Sequence, residues 1–349
     1  MSADSSMNRD ILSPEPLFRN IVLSVIPSWH CDAHCLHCFI PASKRKRDSR
    51  SSSHLLSESL SKLPEDIGAL AFTGGEPFLH PERLRKLIHL CYKQHRFSTV
   101  VTNGLWFRKS RDPRKLLKRL HCDGLRGISI SIDAYHRPLL DDEEVIELLR
   151  TARSLGMAVN IRGAGSEAKR RGRRIAKANI LDGQENTTRF FSLENVGHAS
   201  RLPTDKKSER RTLNFCMAAM QPLVMPDGRV LACCSAHMFL IKNKVLDLGH
   251  LAKEPLEDIL NRACRSYLLA ALAATGPLGL AGILGRKVVI GDKTRCELCL
   301  EILNNPEDVA ELERRISDSL KLRKEITGRM MIWEQCYRPD LLPQFQSGV

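Results

Sequence analysis

Three cysteines within eight residues, Cys31, Cys35 and Cys38, constrain this chain more than any other stretch. They follow directly on an apolar, β-branched run from Ile21 to Ile26, which reads as a strand. Three thiolates on one short loop are soft ligands and can hold three irons of a cubane cluster. A fourth local cysteine would close such a cluster. None is present, so one iron would stay open to a substrate or cofactor. The alternative is structural zinc, which pairs Cys-x-x-Cys with further ligands; His34 or His37 could serve.

Around this loop the chain alternates strand and helix. Strands are predicted over 21–26, 69–73, 98–102, 127–132, 157–161 and 189–196. Helices are predicted over 57–63, 81–95, 113–120, 141–155 and 166–179, with 48–54 a polar, serine-rich connection. Six such units predict an α/β fold, a partial (β/α)6 TIM-type barrel over 21–205, whose chemistry belongs at the C-terminal ends of its strands. The cysteine loop, Gly74-Gly75-Glu76-Pro77, Asn103-Gly104 and Ser131-Ile132-Asp133 all fall at such ends. Residues 1–20 read as a loose arm. Past residue 210 the pattern changes to a hairpin over 222–234 around Pro226-Asp227-Gly228, a short helix over 256–263 and a longer charged helix over 306–326. That predicts a small α+β domain over 206–305, followed by a C-terminal helix and tail over 306–349.

The chain has 349 residues, and its 54 Lys and Arg exceed its 40 Asp and Glu to leave a net charge of +14. A basic balance favours anionic partners such as acidic peptides or phosphates. The charge concentrates in 44–47 and 169–174, which read as solvated faces. The most apolar stretch, 267–284, is interrupted by Gly276, Pro277, Gly279 and Gly282 and is too short for a membrane span. Residues 1–20 hold no apolar segment of signal-peptide type. A cytoplasmic location is therefore expected, where clustered thiols among the twelve cysteines read as metal ligands.

The Cys31-x3-Cys35-x2-Cys38 spacing, the strand before it and Phe39 after it resemble the radical S-adenosylmethionine (SAM) enzymes. The resemblance implies a 4Fe-4S cluster whose open iron is chelated by SAM. One electron then cleaves the sulfonium, and the 5′-deoxyadenosyl radical abstracts a substrate hydrogen atom. Gly74, Gly75, Glu76 and Pro77 resemble the family's stretch that binds the SAM amino group. Ser131 and Asp133 stand at its ribose-contacting position, and Arg162 is placed like the arginine that meets the carboxylate. Asn103 and Val196 complete the implied SAM pocket. For Asp133, Asn103 and His136, strand-end capping is an equal alternative. The family also implies an electron donor such as flavodoxin or ferredoxin.

The second domain carries its own resemblance. Cys216-x11-Gly228-x4-Cys233, the stretch from Leu248 to Leu260, and Cys296-x2-Cys299 are similar to the SPASM/Twitch extensions of this family. They imply one auxiliary 4Fe-4S cluster held by Cys216, Cys233, Cys296 and Cys299, in the one-cluster Twitch form because 300–309 holds no further cysteine. The spacing from Gly228 favours Cys233 over Cys234, and a zinc ribbon is the alternative. Cys91 and Cys122 read as buried apolar residues. Among the remaining thiols, Cys234 and Cys336 are candidate hydrogen donors to a substrate radical. The expected function is modification of a ribosomally made peptide or protein. The alternatives are a dehydrogenase or epimerase of a sugar or aminoglycoside, and a non-enzymatic iron–sulfur or zinc protein that binds nucleic acid through 170–174. No aromatic residues interleave with those charges, as single-strand binding would ask.

Overall fold

β1 (Val22–Val25) buries three of its four residues, as a strand covered on both faces must. Parallel to it run β2 (Ala69–Phe72), β3 (Phe97–Thr102), β4 (Leu125–Ser131), β5 (Ala158–Ala164) and β6 (Thr188–Phe191). Val25 lies opposite Phe72, Phe72 opposite Val100, Val100 opposite Ile128 and Ile128 opposite Val159. A short strand, β7 (Leu223–Val224), pairs in parallel with the other edge of β1. The order is thus β6-β5-β4-β3-β2-β1-β7. The computed structural model describes residues 12–40, 42, 50–136, 140–177, 188–191, 196, 215–288 and 293–341.

The crossovers are α1 (Arg50–Leu60), α2 (Pro81–Tyr92), α3 (Leu105–Lys109), α4 (Pro113–Cys122), α5 (Asp142–Ser154) and α6 (Gly165–Ala176). Their starts follow from sequence. Asp141 accepts from the Glu144 amide while Glu144 reaches back to the Asp141 amide, a complete capping box; Asp112 caps α4 ahead of Pro113. The partial (β/α)6 barrel read from the sequence is present, and its described residues within 21–208 and 223–229 form one compact unit.

Four local expectations change. Helix α1 starts at Arg50, inside the stretch expected as a connection, because Leu56 and Leu60 on one face are buried. α3 was not expected; it follows the left-handed Gly104 and seats Trp106 against Phe78, ring centroids 3.9 Å apart. Arg162 lies within β5, which runs on to Ala164, rather than past its end. Cys91 is fully buried as expected, but Cys122 closes α4 on its exposed side.

The second unit comprises described residues within 12–20, 215–222 and 230–341. β8 (Arg229–Leu231) enters this unit at Val230, and β9 (Asp247–His250) follows, with the Ala232 amide donating to Leu246. Five helices complete it: α7 (Leu256–Arg265), α8 (Tyr267–Ile283), α9 (Arg295–Leu303), α10 (Pro306–Asp318) and α11 (Leu320–Leu341). Helix α8 is apolar all round because α9, α10 and α11 pack on it. It kinks at Gly276 (φ 64°), just before Pro277. No helix among the described residues is long and apolar enough to cross a membrane.

The single helix expected over 306–326 is two, separated at Ser319, whose backbone is extended and whose hydroxyl accepts from the Leu322 amide. These helices belong to the second unit rather than standing apart as a tail. Residues 12–20 are not a loose arm. The Ser13 and Leu17 amides donate to Arg265 and Cys264, and Phe18 is 1% exposed.

Candidate active site

The cysteine loop leaves β1 and is tied down at several points. The Gly75 amide donates to Ser28 O (3.3 Å), the Glu76 amide to His30 O (2.8 Å) and Arg83 Nη1 to Pro27 O (2.8 Å). Lys109 Nζ pairs with Asp32 at 2.6 Å. The two glycines are required by this contact. A Cβ on Gly75 would stand 2.2 Å from His30 O, and one on Gly74, at φ +108°, would stand 2.3 Å from Ile26. The Gly-Gly pair therefore makes room first for the cysteine loop itself.

Cys31, Cys35 and Cys38 are each half-buried. Burial pushes the Cys31 and Cys35 thiols up to about 12. Cys38 and neighbouring negative groups (Glu76 for Cys31, Asp133 for Cys35) push the same way. Burial also raises Cys38, whose thiol donates to Ile40 O. Without a metal these thiols hold their protons, and ligation releases them.

Glu76 is 1% exposed. Its Oε1 accepts from Phe78 N (3.2 Å) and Thr102 Oγ1 (2.8 Å), and its Oε2 from Asn103 N (2.8 Å). Burial raises its pKa to about 7 against the pull of these bonds. Asn103 caps the strand end, its Oδ1 accepting from the Leu105 amide, and its Nδ2 lies 3.8 Å from Cys31 Sγ. Thr102 and Trp106, which the sequence did not single out, complete the seat of Glu76 through Trp106 Nε1 to Thr102 Oγ1 at 2.9 Å.

Ser131 ends β4 opposite Arg162 of β5. Asp133, one turn on, is buried between two imidazoles. His136 Nδ1 is 2.8 Å from its Oδ1 and His37 Nε2 is 3.2 Å from its Oδ2. Burial alone would push this carboxyl up; the bonds from His136 and His37 outweigh it and hold it well below the usual carboxylate range. Val196 is buried, and the residues on both sides of it lie outside the described ones. So does the basic run 44–47. The run 169–174 departs from a solvated face. Arg171 is fully buried, pairing with Asp142 and donating to Ile132 O (3.2 Å) and Leu140 O (2.6 Å).

In the second unit Cys216, Cys233 and Cys299 are buried and Cys296 half-buried. Burial and then Cys216, Cys233 and Cys296 raise the Cys299 thiol; burial and then Cys216 raise Cys233 to about 12, with Cys234 also adjacent. Cys299 is thus near enough to feel Cys216, Cys233 and Cys296 electrostatically. Cys336 falls in α11 where its side chain is outside the description. A single zinc ion draws its sulfurs to within roughly 4 Å of one another, given Zn–S bonds near 2.3 Å. Among the described residues, the ligand atoms that converge within 4.8 Å are those of His37, Asp133 and His136, and neither cysteine set does so.

Known proteins are similar to this chain. A curated protein of Bacillus subtilis (strain 168), named "Putative peptide biosynthesis protein YydG", is 25% identical over 149 residues, 40% of this chain and 46% of that protein. The chain thus matches less than half the length of that relative. Two solved structures are similar at low identity. Streptococcus suis SuiB bound to precursor peptide SuiA gives a TM-score of 0.42 at 15% identity, over 72% of this chain and 66% of that one. anSMEcpe with bound AdoMet gives 0.48 at 13%, over 88% and 99%. Residues 25–175, which hold the cysteine loop, the Gly-Gly-Glu-Pro turn, Asp133 and Arg171, match the model of the radical SAM superfamily. Over that stretch the chain is similar to the radical SAM proteins.

Proposed function

We propose that the chain is an enzyme that reductively cleaves SAM and abstracts a hydrogen atom from a ribosomally made peptide or protein. The observation that carries the reading is the gathering of three half-buried thiols and the buried Glu76 carboxylate at the C-terminal ends of adjacent parallel strands. The donor set fits the cofactors of the family. Cys31, Cys35 and Cys38 would hold a 4Fe-4S cluster, and Glu76 would accept from the SAM ammonium. The cluster and SAM supply, when bound, the electron and the radical chemistry. The chain's own part is to seat Glu76 through Thr102 and Asn103, to keep the loop against Gly75, and to exclude water from both. Ser131 and Arg162 would flank the ribose and carboxylate, with Val196 in the same pocket. Cys216, Cys233, Cys296 and Cys299 would hold one auxiliary 4Fe-4S cluster, and Cys234 and Cys336 would be the candidate thiols for returning a hydrogen atom. The relative's name points to peptide biosynthesis. The net charge of +14 suits an acidic peptide and a flavodoxin- or ferredoxin-type electron donor.

Anaerobic reconstitution should give about eight irons per chain, four for each cubane. Reductant and SAM should then release 5′-deoxyadenosine. Cys35→Ala should abolish that release and leave about four irons. Stoichiometric zinc in place of iron, or undiminished release by Cys35→Ala, would overturn the reading. Peptide as substrate is tested by a mass change in a short precursor peptide encoded beside this chain; no change in it, with a change in a sugar, would replace that part.

A further inference from the structure

Asp133 has no acceptor capacity left for a cofactor hydroxyl. Its Oδ1 accepts from His136 Nδ1 (2.8 Å), Tyr135 N (3.1 Å) and His136 N (3.2 Å); its Oδ2 accepts from Ala164 N (3.4 Å) and pairs with His37 Nε2 at 3.2 Å. A carboxylate offers about four lone-pair sites, and here five donors already use them. Because a carboxylate only accepts, His37 must carry its proton on Nε2, which leaves its buried Nδ1 without a partner. His37 sits between Cys35 and Cys38, and its ring also stacks on Tyr135, centroids 4.6 Å apart. Behind Asp133, Arg171 holds the carbonyls of Ile132 and Leu140, on either side of it.

The two halves of the cysteine loop are held differently. The half around Cys31 is tied through His30, Asp32 and Cys31 to Glu76, Lys109 and Asn103 respectively. The half from Cys35 to Cys38 has a turn bond within itself, from the Cys38 amide to Cys35 O (3.0 Å). Among the described residues, its side-chain polar contact with another element is that of His37 Nε2 with Asp133 Oδ2 at 3.2 Å.

We propose that Asp133 is a positioning residue for the cluster rather than a ribose ligand, a strut that fixes Cys35 and Cys38 through His37. The proposal rests on the cluster reading above, but its first test needs no cluster. In the cluster-free full chain, thiol alkylation is followed residue by residue by mass spectrometry. Asp133→Asn and His37→Phe, which keep side-chain size, should each speed alkylation of Cys35 and Cys38 about tenfold, the scale of one lost charge-assisted hydrogen bond. Cys31 should change little, and the double variant should be no faster than either single one, since both break one bond. Buried Cys91, in the same unit, reports whether that unit stays folded, and exposed Cys122 is the labelling control. Should Asp133→Asn open Cys91, His37→Phe decides alone.

On reconstitution, both variants should lose iron at the triad while the fraction that loads binds SAM as wild type does. Unchanged protection and full iron in Asp133→Asn, with SAM affinity alone reduced, would overturn the strut and restore the ribose contact. So would additive effects in the double variant. Failure of the wild type to take iron at the triad would sink the cluster reading and leave the alkylation result standing.

Discussion

At Glu76, burial and hydrogen bonding pull in opposite directions, and the outcome is measurable. The folded-state pKa of about 7 lies above the ordinary 4.5, so the folded chain keeps this proton longer than the unfolded one does. The stability this contributes is complete below about pH 4.5 and is lost as pH rises through about 7, on the order of 3 kcal/mol in all. Urea unfolding of the cluster-free chain between pH 4.5 and 7.5 should show that decline, and Glu76→Gln should flatten it. The identity of Glu76 was legible in the sequence because it follows two glycines at a strand end. Its partners were not, since Thr102 and Trp106 meet it from β3 and α3, and no local pattern links them. The same holds for Asp133, where Ser-Ile-Asp names the strand end and says nothing of His37, nearly a hundred residues earlier in the chain.

Among elements, α6 departs most from what its sequence suggests. A run of basic residues looks solvated, and Arg170, its side chain 68% exposed, is. One position on, Arg171 turns inward and holds two carbonyls and Asp142 of α5. Removing one partner from such a buried pair leaves the other uncompensated. Arg171→Met should therefore cost about 3–5 kcal/mol in denaturant unfolding of the first unit, with Arg170→Met as the near-neutral control within about 0.5 kcal/mol. The helical periodicity of α6 could have marked the difference, because Ala168, Arg171 and Ile175 share one face and all three are buried. The division of α10 from α11 was less accessible, since Ser319 is no strong breaker and its extended backbone comes with helices that both pack on α8.

For the whole molecule, the sequence marks the ends of the parallel strands well. Alternating apolar runs and turn residues are local signals, and the chemistry sits where those runs stop. It marks the second unit poorly, because that unit draws on residues far apart in the chain. Phe18 lies near the N-terminus and is 1% exposed, and its segment bonds to the end of α7. Phe18→Ala should cost about 3–5 kcal/mol in the second unit, seen as a lower unfolding temperature and faster alkylation of Cys264. Cys264 is the buried acceptor of Asn20 Nδ2 at 3.0 Å.

The contact between the cysteine loop and the Gly-Gly turn bears on how this chemistry could be moved to another scaffold. Ser28 and His30 take their hydrogen bonds from Gly75 and Glu76, and no Cβ fits at that junction. A graft of residues 27–40 alone would arrive without its seat. The transplantable module is loop and turn together, carried on two neighbouring parallel strands in register.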